Sequence, residues 1–343
     1  IAQGYEVYVM SPSPYETYVE RIMETGAIHI PYEMNAKFSP WGDLKLLFLY
    51  WRTYRQLKPN YVIHYTIKPN IYGSLAARAN KIPSLAVVPG TGSVFQNSGM
   101  VSRMVGQLYK WAFRYPQKIW VLNEDDYRAF LVKNIVNQDR LAILPGEGVD
   151  TSFFCYKEYK RHSPFVFLYM GRMLREKGVE FMAKAVKLLH QKGIDDFEVR
   201  LLGLVDGLSK DVISEEEISQ WEKEGLVRFL GSTSDVRPDI EEADCVLLPT
   251  FYGEGVPRSL MEACSMGRIV LATDNVGCRD VVQDGYNGIL CKPKDVEDLA
   301  AKMEMILSMP EQTIRDMGEN GRKKMMAEFA EVKIVKRYLE EIS

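Results

Sequence analysis

Short apolar runs of strand type alternate with stretches of helical period along most of the chain. In the first part the runs are EVYVM (6–10), YVIHY (61–65), SLAVVPG (84–90), KIWVL (118–122) and LAILPG (141–146). Helical spacing fills 43–57, 71–80, 100–115 and 124–133 between them. A second series follows: FVFLYMG (165–171), FEVRLLG (197–203), VRFLG (227–231), CVLLP (245–249), RIVLAT (268–273) and GILC (288–291). Its helical stretches are 177–192, 214–223, 235–242 and 256–266, and helices over 295–307 and 311–342 end the series. Strand and helix in strict turn predict parallel sheets covered on both faces. The reading is α/β, two doubly wound Rossmann-like halves facing a cleft, and clefts between such halves are favoured ligand sites.

The polar and basic stretch 153–164 ends in Pro164 and has no clear period. It separates a first domain, 1–155, from a second, 165–325, with 156–164 as linker. Residues 326–343 are expected to form a helix that packs back on the first domain. The start departs from the pattern. Residues 1–4 read as a helix end capped by Gly4, and the first strand follows it, whereas a doubly wound sheet opens with a strand. The first domain is therefore expected to lack its first strand, to be the less stable half, and to transfer poorly without it.

Composition narrows the class. With 343 residues the chain is long enough for about two domains, and at 46% hydrophobic it can bury large cores. A net charge of −3 gives no whole-chain argument for nucleic acid. Five Cys without a C-x-x-C read as buried thiols of a reducing, cytoplasmic compartment. Four scattered His and the absence of Asp-x-Asp leave no visible metal clamp, so no metal cofactor is expected. No apolar run approaches the roughly 18 residues of a spanning helix.

The candidate chemistry lies at strand ends. In YGEGVPRSLMEA (252–263), Pro257 suits a first helical turn and Gly267 a helix end. Glu254 then falls in a loop at a strand's carboxyl end, where open sheets bind ligands. Glu262 falls on the helix, one turn beyond Arg258. Two carboxylates can each accept from a vicinal diol. The N–H groups of Gly255 and Val256 could meet phosphate oxygens. An ordinary surface pair between Glu262 and Arg258 is the competing reading. Gly171 and Arg172 follow a strand, and Lys177 precedes a helix, a natural diphosphate site or else a solvated charged loop. His64 and Lys68 end the strand of VIHYTIKPNIYG, where a structural histidine competes with a cleft one. Gly90 and Gly92 form a glycine-rich strand end. Arg103, Gln107, Lys110 and Arg114 form one stripe, with the 41–58 segment beside it. This is either a face for anionic lipid headgroups or an ordinary solvated one.

The combination G-R-x(4)-K-G, then E-G-x-P-x-S-x-x-E-A, then GCRDVVQDGYNGILCKPKDVEDLA resembles glycosyltransferase family 4, of the GT-B fold. The likeness covers nearly the whole chain and is strongest over 165–305. Within the family the motifs are most similar to bacterial surface-polysaccharide and lipid-linked oligosaccharide enzymes, N-acetylgalactosaminyltransferases among them. The resemblance implies a retaining transferase moving a hexose or N-acetylhexosamine from a nucleotide-sugar, a UDP-sugar, to a glycan or polyprenyl-diphosphate-linked acceptor. It implies that Glu254 holds the donor sugar and Glu262 the ribose. Arg172 and Lys177 would neutralise the diphosphate beside Gly171, Gly255, Val256 and Pro257. That charge neutralisation replaces a metal. His64, Lys68, Gly90, Gly92, Gly148 and Asp150 would face the acceptor, His64 with a catalytic role. The enzyme would lie on the inner face of the membrane as a peripheral protein. An epimerase of the same fold and a non-catalytic nucleotide-sugar-binding subunit are the competing classes.

Overall fold

The computed structural model describes residues 1–12, 16–34, 38–90, 100–205 and 211–343. In the second half, strands β7 (Phe165–Met170), β8 (Phe197–Leu202), β9 (Arg228–Gly231), β10 (Cys245–Leu248), β11 (Ile269–Thr273) and β12 (Gly288–Cys291) form one sheet. Their order is β12-β11-β10-β7-β8-β9 and all pairs are parallel. This is the dinucleotide-fold order, in which the chain reverses direction between β7 and β10. The sequence explains the order. The central strands β7, β10 and β11 are apolar at nearly every position and buried throughout. The outlying β8 alternates, with Glu198 and Arg200 half-buried between buried neighbours.

The first half holds two parallel sheets. One pairs β1 (Tyr8–Ser11) with β2 (Ile28–Pro31). The other runs β3 (Val62–Tyr65), β4 (Ser84–Val88), β5 (Lys118–Val121) and β6 (Leu141–Ile143). Among the described residues β1 and β3 share no ladder. The sequence pattern had not marked β2 or the helix Glu16–Glu24 before it. Gly4 closes a turn, its N–H donating to Ile1 O at 2.8 Å.

One buried apolar cluster runs from the second sheet into Leu85, Val87, Trp120, Leu122 and Leu144 of the first half, so the two halves share a core. The linker is pinned from below. Asp244, fully buried, accepts from Tyr159 OH at 2.7 Å, His162 N at 3.0 Å and Val166 N at 2.7 Å. Residues 311–342 are two helices, Glu311–Lys324 and Glu331–Ile342, broken around a π-turn at Met325–Phe329. Val149 clamps the break: its N–H donates to Phe329 O at 2.9 Å and its carbonyl accepts from Glu331 N at 3.0 Å. Helix Glu331–Ile342 lies on the first half, where Tyr338 meets the Tyr65 hydroxyl at 2.5 Å and the Trp120 ring edge-on.

Candidate active site

The switch point of the second sheet brings two loops together. The loop after β7 carries Gly171, Arg172 and the turn Arg175–Lys177, closed by Gly178 at φ +81. A side chain at Gly178 would sit 2.1 Å from Pro249 O, so only glycine lets the two loops touch. The loop after β10 carries Thr250 to Pro257. The Glu176 carbonyl ties them, accepting from Phe251 N at 3.0 Å and Tyr252 N at 3.2 Å. Its carboxyl is pushed up by burial.

Lys177 Nζ donates to Glu254 Oε1, and both side chains are largely buried, at 16% and 12% exposure. The Thr250 hydroxyl lies 3.1 Å from the same oxygen and 3.2 Å from Glu176 O, and its one proton serves one at a time. Asn275 holds the loop from the other side, donating to Tyr252 O at 2.7 Å. Arg172 is exposed at the rim, and its charge acts on Tyr169, Glu176 and Tyr252. Two cations and a carboxylate therefore lie around Glu176 at strand ends, a setting suited to a polyanion attached to a polyol.

Helix Arg258–Ser265 follows Pro257, which stands just outside it as the capping residue. Leu260, Ala263 and Cys264 are fully buried, which turns Glu262 to the opposite side. Its side chain is 15% exposed and lies 3.5 Å from Arg258 Nε, and burial raises its carboxyl. An i,i+4 pair whose Arg is 63% exposed is worth about 0.3–0.5 kcal/mol, too little to keep Glu262 from a ligand.

The first half meets this site at Gly255. A side chain there would lie 1.7 Å from Pro89 O, and one at Gly90 would lie 3.2 Å from Gly255 N. Val256 packs against Gly146. Asn123, fully buried, caps helix Glu124–Val132 and donates to Gly255 O at 3.3 Å. Arg279 crosses to Asp125 at 2.9 Å.

Several sequence expectations for the first half are corrected. His64 does not face the cleft. It is 3% exposed, lies beneath Gly73, and bonds Tyr54 OH at 3.0 Å and Ser74 Oγ at 3.4 Å. Burial lowers its imidazole to about 3, so it is a neutral core residue. Lys68 is buried against Asp43 at 2.6 Å, over the Phe38 ring, and borders a cavity described below. Gly148 faces Ile334 and Glu331, not the cleft, because the chain crossing runs there. Asp150 is exposed and accepts from Ser152 N and Phe153 N, ordering a turn. Gly92 lies outside the described residues. Arg103, Lys110 and Arg114 are exposed. The sequence reading missed Thr250, Glu176 and Asn275. Glu176 acts by its backbone carbonyl, Thr250 and Asn275 by short polar groups, and none of these carries a motif of its own. Among the described residues no three His, Cys, Asp or Glu converge as a metal site, and no helix is long and apolar enough to cross a membrane.

Comparison with known proteins follows the two halves. Residues 156–324 match the family described as Glycosyl transferases group 1, and residues 1–123 match Glycosyl transferase 4-like. The chain is 26% identical, over 97% of its length and 90% of the relative's, to a Campylobacter jejuni enzyme. That relative is named N,N'-diacetylbacillosaminyl-diphospho-undecaprenol alpha-1,3-N-acetylgalactosaminyltransferase. It is 24% identical, over 85% of its length and 77% of the relative's, to UDP-Gal:alpha-D-GlcNAc-diphosphoundecaprenol alpha-1,3-galactosyltransferase of Escherichia coli. In fold it is similar to a glycosyltransferase from Rickettsia africae, with TM-score 0.81, 18% identity and coverage of 99% and 90%. It is also similar to Anabaena HepE in complex with UDP and glucose, with TM-score 0.80, 17% identity and coverage of 98% and 91%.

Proposed function

The chain belongs to the group 1 glycosyl transferases, of the GT-B fold, and from that premise we propose which sugar transfer it performs. It takes a hexose or N-acetylhexosamine from a UDP-sugar and places it, with retained anomeric configuration, on a polyprenyl-diphosphate-linked glycan for surface polysaccharide. It works without a metal, as a peripheral protein of the inner membrane face. The observation that carries this reading is the Lys177–Glu254 contact at the switch point, with Glu262 eight residues further on the adjoining helix.

The chemistry follows from those atoms. The departing group is a nucleoside diphosphate whose charge grows as the sugar bond breaks. Arg172 and Lys177 are the cations placed to receive that charge, a contribution largest in the transition state. Donor binding draws Lys177 toward phosphate and frees the Glu254 oxygens for sugar hydroxyls. Glu262 accepts from the ribose diol, after Arg258 swings into solvent. The two carboxylates are divided between ribose and sugar, so they do not form a glycosidase-type pair.

The lipid-linked acceptors named for the two relatives support a lipid-linked acceptor here, and the HepE complexes support UDP as carrier. They favour transfer over epimerisation or passive binding. The test is a screen of UDP-, GDP- and ADP-sugars by thermal shift, then turnover of the stabilising donor in chelator. Stabilisation by UDP-sugars with turnover to UDP is expected. Binding without turnover on a polyprenyl-linked acceptor, or an epimerised donor as sole product, refutes it.

A further inference from the structure

Residues 40–118 contain eleven Lys and Arg and one acid, Asp43, a net of +10 in a chain whose net is −3. Asp43 is buried against Lys68, so this stretch shows solvent almost no acid. The stretch builds one helical layer. Helix Pro40–Leu57 packs on the 69–79 segment, and helix Met100–Ala112 packs on the same segment.

Helix Pro40–Leu57 is apolar on two sides. Leu46, Tyr50 and Tyr54 face the core and are buried. On the outer side Trp41 is 79% exposed, Leu44 55% and Phe48 58%, at spacings of three and four that place them in one stripe. Beyond them the same face turns basic, through exposed Arg52, Arg55 and Lys58, with Lys45 between the apolar residues. The neighbouring helix repeats the design. Met104 and Trp111 stand exposed beside Arg103 and Lys110, and Arg114 follows. A helix apolar on both sides is ordinarily covered on both. Large aromatic residues at a surface mark a contact.

The charge decides what the contact is. A second copy meeting this face across a twofold axis would bring like charge onto like charge. Single-stranded nucleic acid would find cations but no use for Leu44 and Met104. An anionic bilayer satisfies both halves of the pattern, apolar side chains at the headgroup–acyl boundary and cations on the headgroups. A cavity of about 880 Å³ lies along the flank of the helix, bounded by its Gly42, Asp43, Lys45 and Leu46 and by Glu33 and Lys68.

We propose that the outer face of helix Pro40–Leu57 seats this protein on an anionic membrane surface, through Trp41, Leu44 and Phe48 flanked by Lys45, Arg52, Arg55 and Lys58. This names the contact surface for the peripheral placement proposed above and does not depend on which sugar is transferred.

The experiment measures partition of the full chain onto vesicles of phosphatidylcholine, with and without phosphatidylglycerol. Brominated acyl chains report tryptophan depth. Binding is expected only to the anionic vesicles, weakening as salt rises. Trp41→Ser with Phe48→Ser should lose about tenfold or more in partition at every salt concentration, and Trp41→Phe should remove most of the bromine quenching. Lys45→Gln, Arg52→Gln and Arg55→Gln should each lose roughly fivefold at low salt. All these side chains are exposed, and UDP affinity measured on each variant confirms its fold. Wild-type partition by the Trp41/Phe48 variant overturns the proposal, as does absence of anionic binding at low salt. A concentration-dependent dimer dissolved by the same substitutions assigns the face to a second copy and also overturns it. RNA binding lost in those variants, with vesicle binding kept, does the same. Failure of UDP to bind wild type would refute the transfer reading and leave the vesicle result standing.

Discussion

Replacing Gly255 by alanine tests whether the two halves must touch during the reaction. The added Cβ would lie 1.7 Å from Pro89 O, 2.8 Å from Pro89 C and 3.2 Å from Leu122 Cδ1. A carbon–oxygen contact relaxes at about 3.3 Å, so the loop and the Pro89 strand end must part by about 1.6 Å. Both are backbone, so no rotamer relieves the clash. The movement breaks the Asn123–Gly255 bond at 3.3 Å and strains the Arg279–Asp125 pair. A misplacement of about 1 Å between reacting groups costs about 10²-fold. Turnover in Gly255→Ala should therefore fall by about 100-fold, about 2.7 kcal/mol. UDP affinity should stay within about threefold, because Arg172, Lys177 and Glu262 all belong to the second half and move together. Calorimetry with UDP and a coupled assay of UDP release measure the two quantities. Turnover within about threefold of wild type would refute the claim that this approach forms in the reacting state.

Other substitutions divide the site's roles. Glu262→Ala should weaken free UDP by about 10–100-fold, on the scale of a charge-assisted hydrogen bond, whereas Glu254→Ala should spare UDP and abolish turnover; equal loss of UDP in both would undo that division. Arg172→Ala and Lys177→Ala should each cost roughly 2–4 kcal/mol in turnover and add sub-additively, since they act on one diphosphate, with full wild-type activity in chelator. Strict dependence on added metal would count against this. Asp280, pushed up to about 6 chiefly by burial, costs stability above pH 6 that fades as pH falls toward 4. Asp280→Asn should thus stabilise by about 1–2 kcal/mol at pH 7.5, discounted for partial exposure, and by nothing near pH 4. A pH-independent gain in denaturant melts would show another cause.

The second half was legible because its strands are apolar, buried and punctuated by glycine, and because its candidate ligand residues sit at strand ends by the rule of open sheets. Glu254, Glu262, Arg172 and Lys177 fell where spacing put them. His64 did not, because alternation along VIHY separates the faces of residues 64 and 65 without saying which face a later segment covers. Gly73 gives the answer only in three dimensions: a Cβ there would lie 2.5 Å from the imidazole. Strand β2 escaped notice since IHIP is exposed at both ends and offers no buried apolar run, and Gly148 was misplaced because its neighbour, helix Glu331–Ile342, is remote in sequence. The break around Ala330 has no Pro or Gly to announce it; Val149 imposes it from across the molecule.

That remote helix also sets a timetable. Tyr338 meets Tyr65 across a sequence separation of 273 residues, and it caps Trp120 as well. At roughly 5–20 residues per second on the ribosome, the first half emerges tens of seconds before the segment that covers it. During that interval Trp120 and the Tyr65 strand end stand bare to water and to other nascent chains. The cover of the first half at these two residues is therefore completed only when 331–342 has been made and docked.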